Sequence, residues 1–180
     1  MASMLMPKAE YNELLKQFLE KEVDSLPKKD ASKVRLFVSG SPVESLQLYE
    51  IIESLPAIVV GEDIAFGDRY SDAPISEELE PMEALADRYT YKPLDPWMYG
   101  LKDRIKYRVD SAVAAKAQAE VFFHLLGDDP LAWDYPDQKR ELEKHGISIL
   151  LLQSQGYKIS APERLRGRIE AFVKAIRSSR

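Results

Sequence analysis

The chain has 180 residues, of which 45% are apolar and 31% charged, with 25 lysines and arginines set against 30 acids for a net charge of −5. That is the size and composition of one ordinary globular domain, with or without a helical appendage. The acidic balance argues against a nucleic-acid binder, which shows a basic face, and no apolar run reaches the roughly 20 residues that cross a bilayer.

In chain order, residues 8–22 place Tyr11, Leu14, Leu15, Phe18 and Leu19 three and four apart, one face of an amphipathic helix. Pro27-Lys28-Lys29-Asp30 then forms a linker. The expected division is an N-terminal helical appendage over residues 1–30 and an α/β domain over residues 31–180. The apolar helix face is either outer packing or a docking face for a preceding domain or a partner. The opening MASMLMPKAE has no charged start followed by an apolar core, so it does not read as a secretory signal.

Val34-Arg35-Leu36-Phe37-Val38 predicts a strand that ends in Ser39-Gly40. Ser41-Pro42-Val43-Glu44 has the pattern of a capping box, with proline at the first helical position, and predicts a helix through Leu55. A second strand over residues 57–60 ends in Gly61-Glu62-Asp63. Strand, helix and strand with short connections imply a parallel sheet. Ser39-Gly40 reads as a tight turn, because a Walker lysine and a full G-x-G-x-x-G are both missing.

Residues 64–81 are irregular and include Phe66-Gly67-Asp68-Arg69 and the acids Glu77, Glu78 and Glu80. A short helix over 82–89 follows, then a proline-bounded aromatic segment from Tyr91 to Trp97, then a long helix over 101–116. Residues 121–126 predict the third strand. It stops at Gly127-Asp128-Asp129, and a helix over 136–145 takes its cap from Asp134 and its stop from Gly146. Residues 147–152 form a continuous apolar run, the signature of a strand covered on both faces. Ser160-Ala161-Pro162-Glu163 predicts a second capping box, opening a final helix with Leu165, Ile169, Phe172, Val173 and Ile176 on one side. The sum is a three-layer, Rossmann-like α/β domain around a mostly parallel four-stranded sheet.

In such a sheet ligands sit at the carboxyl ends of the strands, which makes Ser39, Gly40, Glu62, Asp63, Arg69, Asp128 and Asp129 the candidate pocket. Each has a plainer use. Glu62 and Asp63 serve equally as caps or solvated turns. Asp128 and Asp129 have the chemistry of an acid–base pair or a hard-cation site, but neighbours in sequence need not converge, and the plain reading is favoured. His124 reads as a satisfied sheet histidine, and Trp97, Trp133 and Tyr135 as core or interface aromatics. Arg69 and Arg168 are the anion partners on offer, unless they pair with Glu62 and Glu170 nearby.

There is no cysteine, and the only histidines are His124 and His145. Disulfides, zinc–thiolate sites and all-cysteine iron–sulfur ligation are therefore excluded within this chain.

Several landmarks in order carry a family resemblance over residues 34–173. They are Val59-Val60-Gly61-Glu62-Asp63 with Gly67-Asp68-Arg69, the helix PMEALADRY from Pro81, the run Asp129 to Pro136, His145-Gly146-Ile147 with Leu150, and Arg168-Ile169-Glu170-Ala171-Phe172. Together they resemble the C-terminal domain of the 2-hydroxyacyl-CoA dehydratase and benzoyl-CoA reductase subunit family. The resemblance implies acyl-CoA dehydration or reduction by low-potential electron transfer, in paired subunits that hold a four-iron, four-sulfur cluster. The position matching the family's cluster cysteine is Asp128, and Pro93-Leu94-Asp95-Pro96 also lacks the cysteine that relatives often carry there.

With no thiol at these positions, the resemblance implies a fragmentary or degenerate subunit without a cluster of its own. The lack of a signal and of a long apolar run makes a cytoplasmic protein the default expectation. Such a subunit would rely on another protein subunit or domain, with acyl-CoA bound only in a complex and no nucleic acid or membrane involved. The other reading is a non-catalytic protein-binding or scaffold module that keeps the fold. A phospho-receiver domain fits less well, because its first strand would have to end in acids and here it ends in Ser39-Gly40.

Overall fold

The structure is a computed structural model that describes residues 5–25, 30–43, 45–64, 67, 69, 74–90 and 100–179. The expected aromatic segment from Tyr91 to Trp97, and Glu44 of the first capping box, lie outside the described residues. Two compact units are present, Met1–Ala31 and Ser32–Arg180. The first holds helix α1 (Lys8–Lys21), which buries no residue and exposes Leu14, Leu15, Phe18 and Leu19, followed by a 3-10 turn at Val23–Ser25.

The second unit is the α/β domain. Its strands are β1 (Val34–Gly40), β2 (Ala57–Asp63), β3 (Ala119–Leu125) and β4 (Ser148–Gln155). All pair in parallel, in the order β2-β1-β3-β4. The helices are α2 (Gln47–Glu53), α3 (Pro81–Thr90), α4 (Leu101–Ala114), α5 (Asp129–Lys144) and α6 (Pro162–Ser178). Side chains alternate across a strand, and the two faces take different covers. Val34, Leu36 and Val38 of β1, with Val121 and Phe123 of β3, pack against Leu48 and Ile52 of α2 and Leu165, Ile169 and Val173 of α6. On the other face, Phe37 meets Val109 and Ala112 of α4 and Leu142 of α5. The expected three-layer arrangement is therefore the observed one.

Three expected helix starts are corrected. Ser41 does not cap α2: its hydroxyl donates to Asp128 and accepts from the Leu125 N–H, and the helix begins later, at Gln47. Helix α5 begins at Asp129, seven residues before the expected Pro136, and Pro136 lies inside it. Pro130 sits in the first turn, where no amide hydrogen is needed, and Ala132 N–H closes that turn on the Asp128 carbonyl at 3.4 Å. Asp134 is free of cap duty and reaches Arg104 of α4 instead. Helix α6 has Ala161 as its N-cap with no side-chain cap bond, so Ser160 does not act there. The fourth strand lies at the edge of the sheet, and its apolar run is covered on both faces as expected: Leu150 and Leu152 join the α2/α6 side, Ile147 and Ile149 the α4/α5 side. Gly146 is the helix stop, at φ +73°, and the Ile147 N–H returns to Leu142 O at 3.1 Å.

The strand order reverses between β1 and β3, and the chain closes there by close backbone approach. Gly40 has φ +113°, and a Cβ on it would lie 2.1 Å from the Phe123 carbonyl oxygen. The next amide, Ser41 N–H, bonds that same carbonyl at 2.7 Å. Gly146 also has positive φ, but open space surrounds it. Gly40→Ala is expected to cost about 2–3 kcal/mol, against about 1 kcal/mol for Gly146→Ala. Urea midpoints at unchanged slope measure both. Equal midpoints for the two variants would show that the turn at Gly40 has room.

Candidate functional site

In a sheet of this order the ligand crevice opens at the carboxyl ends of the strands flanking the reversal. Here those ends are Gly40-Ser41 and the loop after β3. The Ser41 hydroxyl ties the two together, donating to Asp128 Oδ2 at 2.6 Å and accepting from the Leu125 N–H at 2.9 Å. Asp128 Oδ1 is buried with no hydrogen-bond partner among the described residues. His124 is held from both sides. The Ser154 N–H reaches its Nδ1 at 3.5 Å, so Nε2 carries the proton and donates to the Asp128 carbonyl at 2.9 Å. That is the satisfied sheet histidine the sequence suggested. Asp129 is exposed in the first turn of α5 and does not converge with Asp128.

The remaining strand-end candidates divide between the two faces of the sheet, and a β-bulge decides which goes where. Leu36 pairs with Val59 and Phe37 with Gly61, which leaves Val60 as the extra residue in β2. After that shift Glu62 lies beside Val38, on the α2 face, and Asp63 beside Ser39, on the α4/α5 face. Glu62 accepts from the Tyr49 hydroxyl and lines a cavity of about 410 Å³ with Val43, Leu46, Ile64 and Gly67. Asp63 turns inward to two arginines.

This inward group is a buried ionic network. Arg69 Nε donates to Asp63 Oδ1, and Arg108 Nε donates to Asp63 Oδ2 at 2.9 Å. Arg108 Nη1 donates to Gln138 Oε1 of α5 and lies 3.9 Å from Glu120 Oε1 of β3. Ser39 donates its hydroxyl to that same Glu120 oxygen. The Arg69 guanidinium stands 4.8 Å over the Tyr107 ring, and that of Arg108 5.1 Å over Phe122. Arg104 holds Asp134 through Nε at 2.9 Å and Nη2 at 2.7 Å, a second tie between α4 and α5. Burial alone would push the Asp63 carboxyl up, but the charges and hydrogen bonds of Arg108 and Arg69 outweigh it and hold the carboxyl below its ordinary range.

Arg69 thus pairs with Asp63, while Arg168 donates to the Leu151 carbonyl at 2.8 Å and Glu170 goes to Arg166. Trp133 is 77% exposed, so it is no core aromatic. Tyr135 meets Phe122 edge-on at 5.1 Å. Sequence reading missed Arg108, Gln138 and Glu120. Two of the three had a signal: Ile105, Arg108, Val109 and Ala112 share one helical stripe, as do Leu131, Gln138 and Leu142. Glu120 fell one residue outside the expected strand, which in fact begins at Ala119.

The four-iron, four-sulfur cluster implied by the resemblance does not fit these residues. Cluster irons are held by soft thiolates, the chain has none, and Asp128 is already bonded to Ser41. Among the described residues no group of three His, Cys, Asp or Glu is placed to hold a metal ion.

Neighbouring acids in β2 should behave differently on truncation. Asp63→Ala strands two buried guanidinium groups and is expected to cost about 3–5 kcal/mol, whereas Glu62→Ala, which loses the Tyr49 hydrogen bond, is expected to cost about 1 kcal/mol. Asp63 has a folded-state pKa below the unfolded value of 3.8, so its stabilisation is present above that pH and is lost as pH falls below it. Denaturant midpoints measured down the acid limb check both statements. Equal costs for the two variants would place Asp63 outside the network.

The sequence model of the family described as 2-hydroxyglutaryl-CoA dehydratase, D-component, matches residues 1–176. The chain is 28% identical over 171 residues to the (R)-phenyllactyl-CoA dehydratase beta subunit of Clostridium sporogenes, an alignment that covers 95% of this chain and 45% of that protein. It is 24% identical over 183 residues to the lactoyl-CoA dehydratase subunit beta of Anaerotignum propionicum, covering 97% and 47%. The chain thus spans a little under half the length of these relatives. A match that runs through the strands, the closed turn at Gly40 and the last helix leaves one conclusion: the chain belongs to the 2-hydroxyglutaryl-CoA dehydratase D-component family.

Proposed function

We propose that this chain works as a cluster-free, C-terminal-type portion of a 2-hydroxyacyl-CoA dehydratase subunit, within an assembly whose other polypeptides or domains bring the iron–sulfur chemistry and the acyl-CoA. The observation that carries the reading is the loop after β3. Its position is the one the resemblance gives to a cluster cysteine, and here Asp128 fills it, fastened to Ser41 at 2.6 Å. The hydrogen bond keeps the loop closed without a metal, so the fold survives the loss of the thiolate. Family membership and the names of the relatives, a beta subunit in each case, support the assembly.

By itself the chain is read as non-catalytic. Asp63 is held by Arg69 and Arg108, and Asp128 and Asp129 diverge, so no acid–base pair converges among the described strand ends. That divergence also favours the second reading, a binding module that retains the fold. The two readings differ in their partners. A tagged chain drawn from anaerobically grown cells is expected to bring down a cluster-bearing dehydratase component. Recovery of partners that bear no cluster would favour the binding module.

Iron gives an independent check. The purified chain should stay colourless after anaerobic treatment with iron and sulfide, and its thermal transition should be unchanged by chelator, because a domain of this size buries enough apolar surface to fold without a metal. Absorbance near about 400 nm with stoichiometric iron would contradict the cluster-free reading and make Asp128 a ligand.

A further inference from the structure

The most exceptional side chain in the domain is one that the proposed function does not use. Glu120 is wholly buried on the α4/α5 face of β3, and its Oε2 has no hydrogen-bond partner among the described residues. A buried unpaired polar atom is costly, and a buried charge in the same position far more so. The neighbours do little to offset it. From β1, Ser39 donates to Oε1, while Arg35 is occupied with the Ala115 and Lys116 carbonyls. From β2 comes Asp63, a like charge. From α4 comes Arg108, its Nη1 3.9 Å away and already engaged with Gln138; Arg104, also on α4, is taken by Asp134. From α5 come Gln138 and Tyr135, and burial pushes the Tyr135 phenol up, which keeps it neutral. From β4 the adjacent residue is Ile149, with no charge.

We propose that Glu120 is a proton-operated latch between the sheet and α5. With a proton on Glu120, the carboxyl is neutral and Arg108 stays with Asp63 and Gln138, which ties α4 and β2 to α5. When that proton leaves to solvent, the new carboxylate competes with Gln138 for Arg108 Nη1, the cation already within 3.9 Å, and the tie to α5 weakens. One guanidinium between two acceptors on different layers is the bistable element.

Electrostatics places the switch near neutrality. Burial, only partly offset by Arg108 and by the Ser39 hydroxyl, pushes the Glu120 carboxyl up to about 7 from 4.5. A group whose pKa is raised in the folded state favours folding most below its unfolded value and loses that advantage as pH rises through the folded one. The window is therefore 4.5 to about 7. Asp63 titrates on the acid side of this window, because its pKa is lowered.

The test compares the full chain with Glu120→Gln, which keeps the size and cannot ionise. The thermal midpoint of the parent is expected to fall by roughly 5 °C between about pH 5 and about pH 8, and this component should be missing from the variant. Superimposable pH profiles would overturn the proposal. If the variant does not fold, the parent still decides. One side-chain carboxyl carbon of a 13C-glutamate-labelled sample should titrate about two units above the rest, and none doing so would overturn it. The latch itself is read by hydrogen exchange, corrected for intrinsic rates. Amides of α5 should lose protection several-fold across the same window, and unchanged protection while Glu120 titrates would overturn the coupling to α5.

Discussion

One guanidinium organises the domain's second layer. Arg108 projects from α4 into the sheet, where it meets Asp63 of β2, approaches Glu120 of β3 and reaches across to Gln138 of α5. A buried arginine is tolerable only if its donors and charge are met, so the elements that meet them are constrained together. The apolar contacts on this face are few, centred on Phe37, Val109, Ala112, Leu142 and Ile147. The opposite face has a far larger apolar cluster. One layer is fixed mainly by hydrophobic burial, the other largely by charge satisfaction.

That arrangement depends on backbone irregularities at the strand ends. The bulge at Val60 brings Asp63 level with Ser39, and without it Glu62 would take that place. Gly40 lets β1 press onto the Phe123 carbonyl, and Ser41 then spans to Asp128. The strand ends that flank the reversal of strand order are thereby tied to each other, with one cavity around Glu62 and another at the end of β4 around Ser154. A family member held together in this way keeps the scaffold through hydrogen bonds where the resemblance implies a metal.

The four strands, their parallel order of appearance and the long helices were legible because apolar periodicity and Gly or Pro punctuation set them. The ordered landmarks likewise pointed to the family. Helix starts were less legible. Ser41-Pro42 and Ser160-Ala161-Pro162 have the pattern of caps, but tertiary demand took Ser41 for the β1–β3 closure, and Asp134 went to Arg104. A propensity argument cannot see such long-range competition. The site was half legible. Asp63 and Arg69 were among the candidates, but the one mark of the bulge that turns Asp63 inward is Gly61, which reads in sequence as the end of the strand. Arg108 and Gln138 were visible in principle, as polar residues on otherwise apolar stripes.

Asp63 and Arg108 act as one unit. A double-mutant cycle on unfolding free energy, with Asp63→Ala, Arg108→Ala and the pair, tests it most directly. Removal of either partner alone should leave the other's charge stranded, so the double variant should be about 2–3 kcal/mol more stable than the sum of the single losses predicts. Additive losses, with coupling near zero, would contradict the account and leave this face of the sheet held by its apolar contacts alone.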